Sequence, residues 1–373
     1  MSLGRSPFRN NPLKITAGVE CNTRYGGGSK VRNRLFVCLA VVAAPLGSLW
    51  AATGVAKYAG EFISIGVGAR ALAMGGASVA LANDVTAGYW NPAGLSRIDY
   101  PEFMLMHDAE FGSLVNNDYG AVAIPVGMNT SIGLSVIRVG VDDIADTRNA
   151  GVDANGNLTY DPTQFSRVDP NRVTYFNSAD WAIYLTYSRK QSDIFSYGAN
   201  VKIIRRDLAD HSATGIGFDL GVWYNPFENF MVGANIQDIT TTLIAWDTGQ
   251  NELISPTMKV GTAYWIDMLG GKIAPAVDFD IRFENRQSAS TAHIGPVSLD
   301  FHGGAEYRFK DLIALRAGYS DVKQLTLGAG VHFPKLNIDY SFAKFDGVNQ
   351  LDNTHRISVM FTLEAEQFKR SND

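Results

Sequence analysis

The sequence contains very little cysteine. Its 373 residues include two, Cys21 and Cys38, and both lie near the N-terminus. If the chain is cleaved after Cys38, the mature protein contains no cysteine, which excludes disulfides and thiolate metal sites. Basic residues are also scarce, because residues 52–373 hold 25 Lys and Arg against 36 Asp and Glu, a net charge of −11. This charge balance argues against nucleic-acid binding.

Long apolar runs are scarce as well. The run Leu35–Leu46 is too short to cross a bilayer comfortably as a helix. It follows the basic stretch Lys30–Arg34 and precedes small residues that end near Ala51, which is the plan of a secretory signal peptide. We therefore predict a leader over residues 1–51, with the signal peptide proper at 30–51. An inner-membrane anchor is the alternative.

Signatures of catalysis and metal binding are lacking too. The six histidines form no HExxH-like cluster, and Ser113, Ser131 and Ser178 have no nucleophile-elbow context. Asp153–Asn157 has the D-x-N-x-N spacing of a calcium loop, but Gly156 comes early and no terminal Glu follows, which favours a surface turn. We therefore predict a non-enzymatic protein with no cofactor and no metal site.

What the sequence does have is a long series of short alternating segments. From Glu102 onward, polar or small residues alternate with apolar ones, as in Gly217–Val222 and Leu325–Phe333. A period of two is typical of a strand with two different faces, and most segments have the length that crosses a bilayer at barrel tilt. Fourteen strands are predicted, at 102–111, 117–126, 130–141, 179–190, 194–206, 214–224, 229–237, 257–266, 272–283, 298–309, 311–320, 324–333, 335–345 and 354–363.

The connections between these segments alternate in length. An up-and-down membrane barrel has short periplasmic turns and longer extracellular loops, whereas a soluble sandwich has no reason to alternate. Closure also removes the exposed sheet edges of an open sheet. We therefore predict an all-β, up-and-down antiparallel barrel over 102–363 in the outer membrane of a Gram-negative-type bacterium. Strand parity places both termini in the periplasm, with a tail at 364–373. The long or medium connections are 142–178, 207–213, 238–256, 284–297 and 346–353.

In such a barrel the apolar faces contact lipid and the polar faces line the lumen. Asp278 and Asp280 share a face with Arg282, so a salt-bridged wall is favoured over an acid–base dyad. Asp219 lies one residue from the lipid-facing Phe218, and we expect Asp219→Ala to be tolerated. The predicted polar wall of the ninth and tenth strands comprises Asp278, Asp280, Arg282, Asp300, His302, Glu306 and Arg308.

Ahead of the strands lies the stretch Gly66–Leu95, which is rich in small residues. Ala and Leu favour helix but Gly75-Gly76 penalises a continuous one, so we predict short helical turns that stop at Asn83-Asp84 and at Pro92. Small side chains allow close backbone packing, as in a plug ahead of a barrel; a packing helix on a soluble β-domain is the alternative. A charge in a confined lumen must be paired, so we expect Arg70 to pair with Asp84 or a lumen carboxylate.

The same stretch resembles the N-terminal hatch of the FadL-like outer-membrane proteins, in particular their PorV/PorQ branch. This resemblance implies a small helical plug in the lumen, at residues 52–101. The PorV/PorQ branch implies an accessory barrel of the type IX secretion system, which holds or shuttles exported proteins. The wider family implies a channel for long-chain fatty acids or other hydrophobic molecules, and a purely structural barrel is a third option. The plug motif comprises Gly66, Gly68, Arg70, Gly75, Gly76, Asn83, Asp84, Asn91, Pro92 and Gly94.

Two sequence features bear on this choice. A fatty-acid conduit needs an apolar pocket with few polar groups, which the predicted polar wall does not offer. The loop 142–178 is rich in Asp, Asn and Arg and holds Tyr160, Phe165, Tyr175 and Phe176. Aromatic residues among polar groups on an exposed loop suit protein recognition. Besides membrane lipid, we therefore expect secretion-system or exported proteins as partners, with hydrophobic small molecules as the alternative.

Overall fold

The computed structural model describes residues 60–161, 163–283, 290–345 and 353–370; the predicted leader lies outside them. Within these residues, no helix has the length and apolar character needed to cross a membrane. The strands are β1 (Glu102–Glu110), β2 (Val115–Val126), β3 (Thr130–Asp146), β4 (Gly151–Val152), β5 (Arg167–Val168), β6 (Thr174–Ser192), β7 (Phe195–Leu208), β8 (His211–Phe227), β9 (Phe230–Gln237), β10 (Thr242–Trp246), β11 (Asn251–Ile254), β12 (Thr257–Tyr264), β13 (Ile266–Met268), β14 (Gly271–Arg282), β15 (Ala292–Ile294), β16 (Val297–Phe309), β17 (Ile313–Tyr319), β18 (Gln324–Phe333), β19 (Leu336–Phe345) and β20 (Thr354–Thr362).

Fourteen of these strands form a closed antiparallel barrel, as predicted. Closure is made by β20 and β1, which place Phe103 opposite Phe361 and Leu105 opposite Val359. Each strand thereby has a hydrogen-bonded neighbour on both sides, which satisfies its backbone groups without water. The order around the wall is β1, β2, β3, β6, β7, β8, β9, β12, β14, β16, β17, β18, β19 and β20.

The long connections contain more strand than the sequence predicts. β3 continues to Asp146 and β6 begins at Thr174, where a loop was expected from 142 onward. The two strands shift register between Val141 and Ile144, and Asp143 has a positive φ of 56°. Such a bulge breaks the alternation of faces, so the period-two pattern ends before the strand does.

The barrel has a long-loop end and a short-turn end. Tight turns such as Gly127–Asn129 mark the short-turn end, where β1 also begins and β20 ends. Along the wall, outward and inward residues alternate as predicted. Phe218 and Leu220 are exposed on the outer surface, whereas Asp219 between them is fully buried.

Residues 60–101 form a helical plug inside the barrel. The plug contains the short helices Glu61–Ser64, Ala69–Ala73 and Ala87–Trp90, followed by the 3-10 helix Pro92–Arg97. The predicted stop before Pro92 is confirmed, since the third helix ends at Trp90. The preceding helix ends at Ala73, earlier than predicted, because Gly75 and Gly76 take positive φ values of 67° and 87°.

The hydrophobic core lies between the plug and the inner wall. Buried plug residues such as Trp90 and Leu95 pack with Met104 of β1, Tyr119 of β2 and Tyr184 of β6. Since these wall residues occupy inward positions, the apolar core of this protein is the lumen of its barrel.

The C-terminal tail folds back across the short-turn end. After β20 it forms a 3-10 helix at Glu366–Phe368. The Arg370 guanidinium then donates hydrogen bonds to the Ile98 carbonyl at 2.7 Å and the Ser131 hydroxyl at 2.7 Å, and also to carbonyls of the β2–β3 turn. The tail therefore crosses from the last strand, past β1, to the second hairpin.

Candidate functional site

The plug runs through the lumen from the long-loop end to the short-turn end. Glu61 lies 3.9 Å from Arg282 at the long-loop end of β14, and the chain leaves the plug at Pro101 to enter β1 at the opposite end. Between these two ends, the plug forms hydrogen bonds with several strands of the barrel wall. Asn117 of β2 donates to the Gly66 carbonyl at 3.3 Å, and Thr326 of β18 donates to the Ala73 carbonyl at 2.9 Å.

Glycines of the plug and of the wall bring the two backbones together. A Cβ added at Gly75 would lie 2.5 Å from the Tyr319 carbonyl oxygen of the wall, whereas one added at Gly94 would clash with the Ala82 carbonyl within the plug itself. Gly76 faces the His302 ring, and the Gly68 N–H donates to the Met106 sulfur at 3.0 Å. Plug atoms likewise occupy the Cβ positions of the inward-facing glycines Gly198, Gly221, Gly233, Gly304, Gly318 and Gly328.

Arg70 joins the plug to the wall through two acidic partners. Its Nε donates to Glu306 Oε2 at 2.9 Å and its Nη2 donates to Glu306 Oε1 at 3.2 Å. Nη1 donates at 3.2 Å to both Asn83 and Asp84, within the plug itself. Two carboxylates, Glu306 and Asp84, thus compensate the charge of the mostly buried guanidinium. Arg70 thus has both types of partner expected from the sequence.

Glu306 is the centre of a wider ion-pair network. Besides Arg70, its carboxylate binds Arg308 at 2.8 Å and Arg316 at 2.5 Å. Arg316 also binds Asp339 at 2.7 Å, and Asp339 lies 3.1 Å from His332. Charged hydrogen bonds in such a water-poor setting are strong when fully satisfied. The network therefore ties β16, β17, β18 and β19 to the plug.

The wall residues of β14 and β16 divide into different roles. Asp278 accepts hydrogen bonds from the plug N–H groups of Ser78 at 2.6 Å and Val79 at 2.8 Å, so its partner is plug backbone and not Arg282. Asp280 is bound by Lys259, and His302 hydrogen-bonds the Gly75 carbonyl at 2.8 Å. Arg282 has longer contacts, 3.8 Å to Asp300 and 3.9 Å to Asp280.

Asn91 and Pro92 fix the exit of the plug. The Asn91 side chain accepts from Ala93 N–H at 3.2 Å and donates to the carbonyls of Val79 and Val222 at 2.9 and 3.0 Å. Pro92 starts the 3-10 helix that packs against β6, β7 and β8. The Asn-Pro pair therefore anchors the plug to the wall on the side opposite the Glu306 network.

A third polar cluster was not singled out from the sequence. Buried Lys202 lies 3.3 Å from Asp219 and 2.7 Å from Asp238. Asp219 also accepts from Asn200 at 3.1 Å, and Asn200 donates to the Gly88 carbonyl of the plug at 2.8 Å. Removing the Asp219 carboxylate would weaken the pairing of a buried ammonium, so these contacts argue against the expectation that Asp219→Ala is tolerated. Alternation does identify Lys202 and Asp219, but Asp238 lies beyond the end of β9 with a φ of 54°, where no pattern points to it.

Polar cavities remain around the network at the short-turn end. One of about 190 Å³ is lined by Arg70, Asp84, Glu102, Arg308 and His332, among others. A second of about 630 Å³ shares Glu102 and His332 with it and lies at the rim. These spaces can hold water or polar groups. An apolar molecule would displace water from charged side chains there without replacing their hydrogen bonds.

The loop between β3 and β6 is folded at the long-loop end. β4 and β5 pair with each other, and Val152 also bridges to Leu158. The Asp153 carboxylate accepts from the N–H groups of Asn155 and Asn157 at 2.8 Å each, and the Asn157 bond keeps the pKa of Asp153 below its usual value. The predicted turn is present, and Asp153 stabilises it.

Aromatic side chains of this loop face solvent. Tyr160 is 70% exposed and Phe165 51%, and Tyr175, at 65%, lies at the adjoining start of β6. Backbone hydrogen bonds link the two sides of this loop, such as Asp169 N–H to the Ala150 carbonyl at 2.8 Å. A preformed loop pays a lower entropy cost when it binds a partner.

Solved structures with a similar fold include hydrocarbon transporters and channels. The toluene transporter TbuX of Ralstonia pickettii superposes with a TM-score of 0.55 at 15% identity, covering 80% of this chain and 98% of TbuX. The toluene transporter TodX of P. putida gives 0.52 at 13% identity, covering 79% and 96%. The monoaromatic hydrocarbon channel CymD also gives 0.52 at 13% identity, covering 81% and 98%. At this identity the likeness concerns the fold alone.

Sequence comparison gives the family. Among curated proteins, none matches the chain significantly. The model of the family described as "Type IX secretion system membrane protein PorP/SprF" matches residues 175–361, from the start of β6 to the end of β20. This match covers half of the chain and most of the barrel wall. The sequence-based assignment to the PorV/PorQ branch stays a prediction. The protein therefore belongs to the PorP/SprF family of type IX secretion outer-membrane barrels.

Proposed function

We propose that this barrel holds exported proteins at the outer membrane as an accessory of type IX secretion, in the manner expected of the PorV/PorQ branch. In this proposal residues 52–101 act as a permanent plug, the short-turn end and residues 364–373 face the periplasm, and the folded loop between β3 and β6 faces outward. The protein acts through its surface and has no catalytic role.

The observation that carries the proposal is the ion-pair network between the plug and one side of the inner wall. Hydrogen bonds of 2.5 to 3.2 Å join Arg70 of the plug to Glu306 and Glu306 to Arg316, so a path along this side would open only if the plug left the wall. Opening such a path would separate buried charges, at a cost of several kcal/mol for each. A conduit for apolar molecules would instead be lined mainly by apolar side chains.

The wall gives independent support. The ladders between β1 and β2 and between β2 and β3 are continuous, from Glu102 opposite Ala123 to Asn116 opposite Gly140. Around these three strands the backbone leaves no lateral window from the lumen into the bilayer. The exposed aromatic rings of the loop, in contrast, are directly available to a protein.

Deleting Gly151–Asn171 tests the proposal. The Asp169 N–H donates to the Ala150 carbonyl at 2.8 Å, so the two ends of the deleted segment already lie side by side. The barrel should fold and keep its faster gel mobility before boiling, because no barrel strand is lost. Capture of exported proteins from outer membranes in mild detergent should fall to background, while uptake of labelled oleate should not change.

A second variant keeps the loop and removes only two of its exposed rings, those of Tyr160 and Phe165. Tyr160→Ser with Phe165→Ser retains the Asp153 turn and the pairing of β4 with β5, and should reduce capture about tenfold or more if the rings are binding hot spots. The alternative function, uptake of hydrophobic molecules, would be favoured if the deletion stopped oleate uptake and left protein export intact.

A further inference from the structure

The outer surface of the barrel carries a row with charged side chains toward its long-loop end. Strand registers place Ile357, His107, Asp118, Arg138 and Trp181 side by side in one row across β20, β1, β2, β3 and β6. This row faces outward, because its members alternate with buried residues such as Met106 and Tyr119.

The next two rows toward the short-turn end are apolar. The first holds Val359, Leu105, Gly120, Val136 and Ile183, and the second holds Phe361, Phe103, Val122, Leu134 and Leu185. An uninterrupted apolar surface is what a barrel presents to hydrocarbon, whereas a charge there costs about 2–4 kcal/mol at the midplane and about 0–1 near the interface. From this pattern we infer that the charged row lies near the level of the lipid head groups.

Directly beneath the charged residues, the wall has a groove. Gly120 has no side chain, and it lies between Leu105 and Val136 in the first apolar row. The resulting space of about 530 Å³ is lined by apolar side chains, with His107, Asp118 and Arg138 along its upper edge. A groove with an apolar floor and a charged upper edge matches the shape and polarity of a lipid, with its acyl chain below and its head group above.

The charged edge is not fully satisfied by its own hydrogen bonds. His107 Nδ1 lies 2.7 Å from Asp118, but Arg138 is 3.5 Å from Asp118 and 3.6 Å from Asp142. These distances are longer than those of charged hydrogen bonds. The guanidinium, which lies flat over Gly140, therefore keeps donors for another acceptor.

We propose that this groove is a lipid-binding site for a phosphate-bearing lipid of the outer leaflet, one acyl chain of which lies over Gly120 while a phosphate binds Arg138. A guanidinium binds phosphate through two parallel N–H donors, which gives geometric selectivity as well as charge. The assignment to the outer leaflet rests on the proposed orientation of the barrel, but the groove and its charges do not.

Native mass spectrometry of the full mature protein in mild detergent, titrated with diphosphoryl lipid A, tests the site. Arg138→Gln removes the charge at nearly constant size and should weaken lipid A binding about tenfold. Gly120→Leu fills the groove and should weaken it similarly. A Cβ at Gly120 meets Leu105 at an ordinary 3.5 Å and the backbone is not strained, so this variant should fold.

The matched control is Arg205→Gln. Arg205 is an outward arginine on β7 whose guanidinium is bonded to Asp207 at 2.8 Å, so its loss should leave lipid A binding unchanged. Equal binding by the wild type, Arg138→Gln and Gly120→Leu would overturn the proposal, and so would diacylglycerol binding as tightly as lipid A. Stronger binding of oleate than of lipid A would assign the groove to free fatty acids instead. Lipid binding is measured in detergent without any protein partner. A negative result would therefore reject the lipid site without bearing on the secretion proposal.

Discussion

Replacing Glu306 by Gln should loosen the plug more than any other single change in the ion-pair network. Its carboxylate is bound by Arg70, Arg308 and Arg316 at 2.5 to 3.2 Å, and it is fully buried. Gln has nearly the same shape as Glu but no charge, so three guanidinium groups lose a negative charge that balances their own. Arg70 still has Asp84, and Arg316 still has Asp339.

The magnitude follows from these contacts. A hydrogen bond to a charged group contributes about 1.5–3 kcal/mol, but two of the three arginines keep a second carboxylate, so the losses are not additive. The expected destabilisation is about 3–5 kcal/mol, the range for removing one partner of a buried ion pair. Arg70→Gln should cost less, about 1–3 kcal/mol, because Glu306 then keeps two arginines.

Two assays measure the effect. Urea unfolding in detergent, followed by the mobility difference between folded and boiled barrel, gives stability. Plug exposure is measured by maleimide labelling of Ala82→Cys, a buried position beside the cavity; residues 60–373 contain no other cysteine. Labelling should accelerate strongly in the Glu306→Gln background. Glu228→Gln, at an exposed turn, is the control.

Two results would refute this reasoning. One is a Glu306→Gln barrel with the same urea midpoint and labelling rate as Glu228→Gln, which would mean that the network does not hold the plug. The other is a larger effect of Arg70→Gln than of Glu306→Gln, which would make Arg70 the central residue.

Two further predictions concern the wall and the plug. Phe218→Arg should reduce the amount of assembled barrel, because a charge at the lipid-facing midplane costs about 2–4 kcal/mol. Phe218→Leu, the control, should not. Equal yields of the two variants on quantitative blots of outer membranes would contradict the assigned face. Gly75→Ala should destabilise the folded barrel in urea more than Gly249→Ala. Both glycines have positive φ, but the new methyl group meets the Tyr319 backbone at Gly75 and open space at Gly249; matching urea midpoints would show that the plug does not lie tightly against the wall.

The sequence was sufficient to predict the barrel because each strand carries its own evidence. Alternation between Phe218 and Asp219 is a local property, and it gives the face of each residue without knowledge of its neighbours. The fourteen strands and the closed fold were therefore predictable. The bulge at Asp143 was not, because the pattern itself fails there.

The roles of the lumen residues were less predictable, because they depend on register. Sequence places Asp278, Asp280 and Arg282 on one face, but the position of the plug decides that Asp278 binds plug N–H groups while Asp280 binds Lys259. The row that joins His107 to Arg138 is likewise invisible until β1, β2 and β3 are aligned.

The position of the C-terminal tail has a consequence for how the barrel is completed. The pairing of β1 with β20 is the junction at which the sheet closes on itself, and the tail crosses this junction before Arg370 reaches Ile98 and the β2–β3 turn. Residues 364–370 therefore reinforce the contact between the first and last strands of the barrel. An affinity tag fused directly behind Leu363 would remove this reinforcement, whereas the same tag inserted in the loop between β3 and β6 would leave it intact.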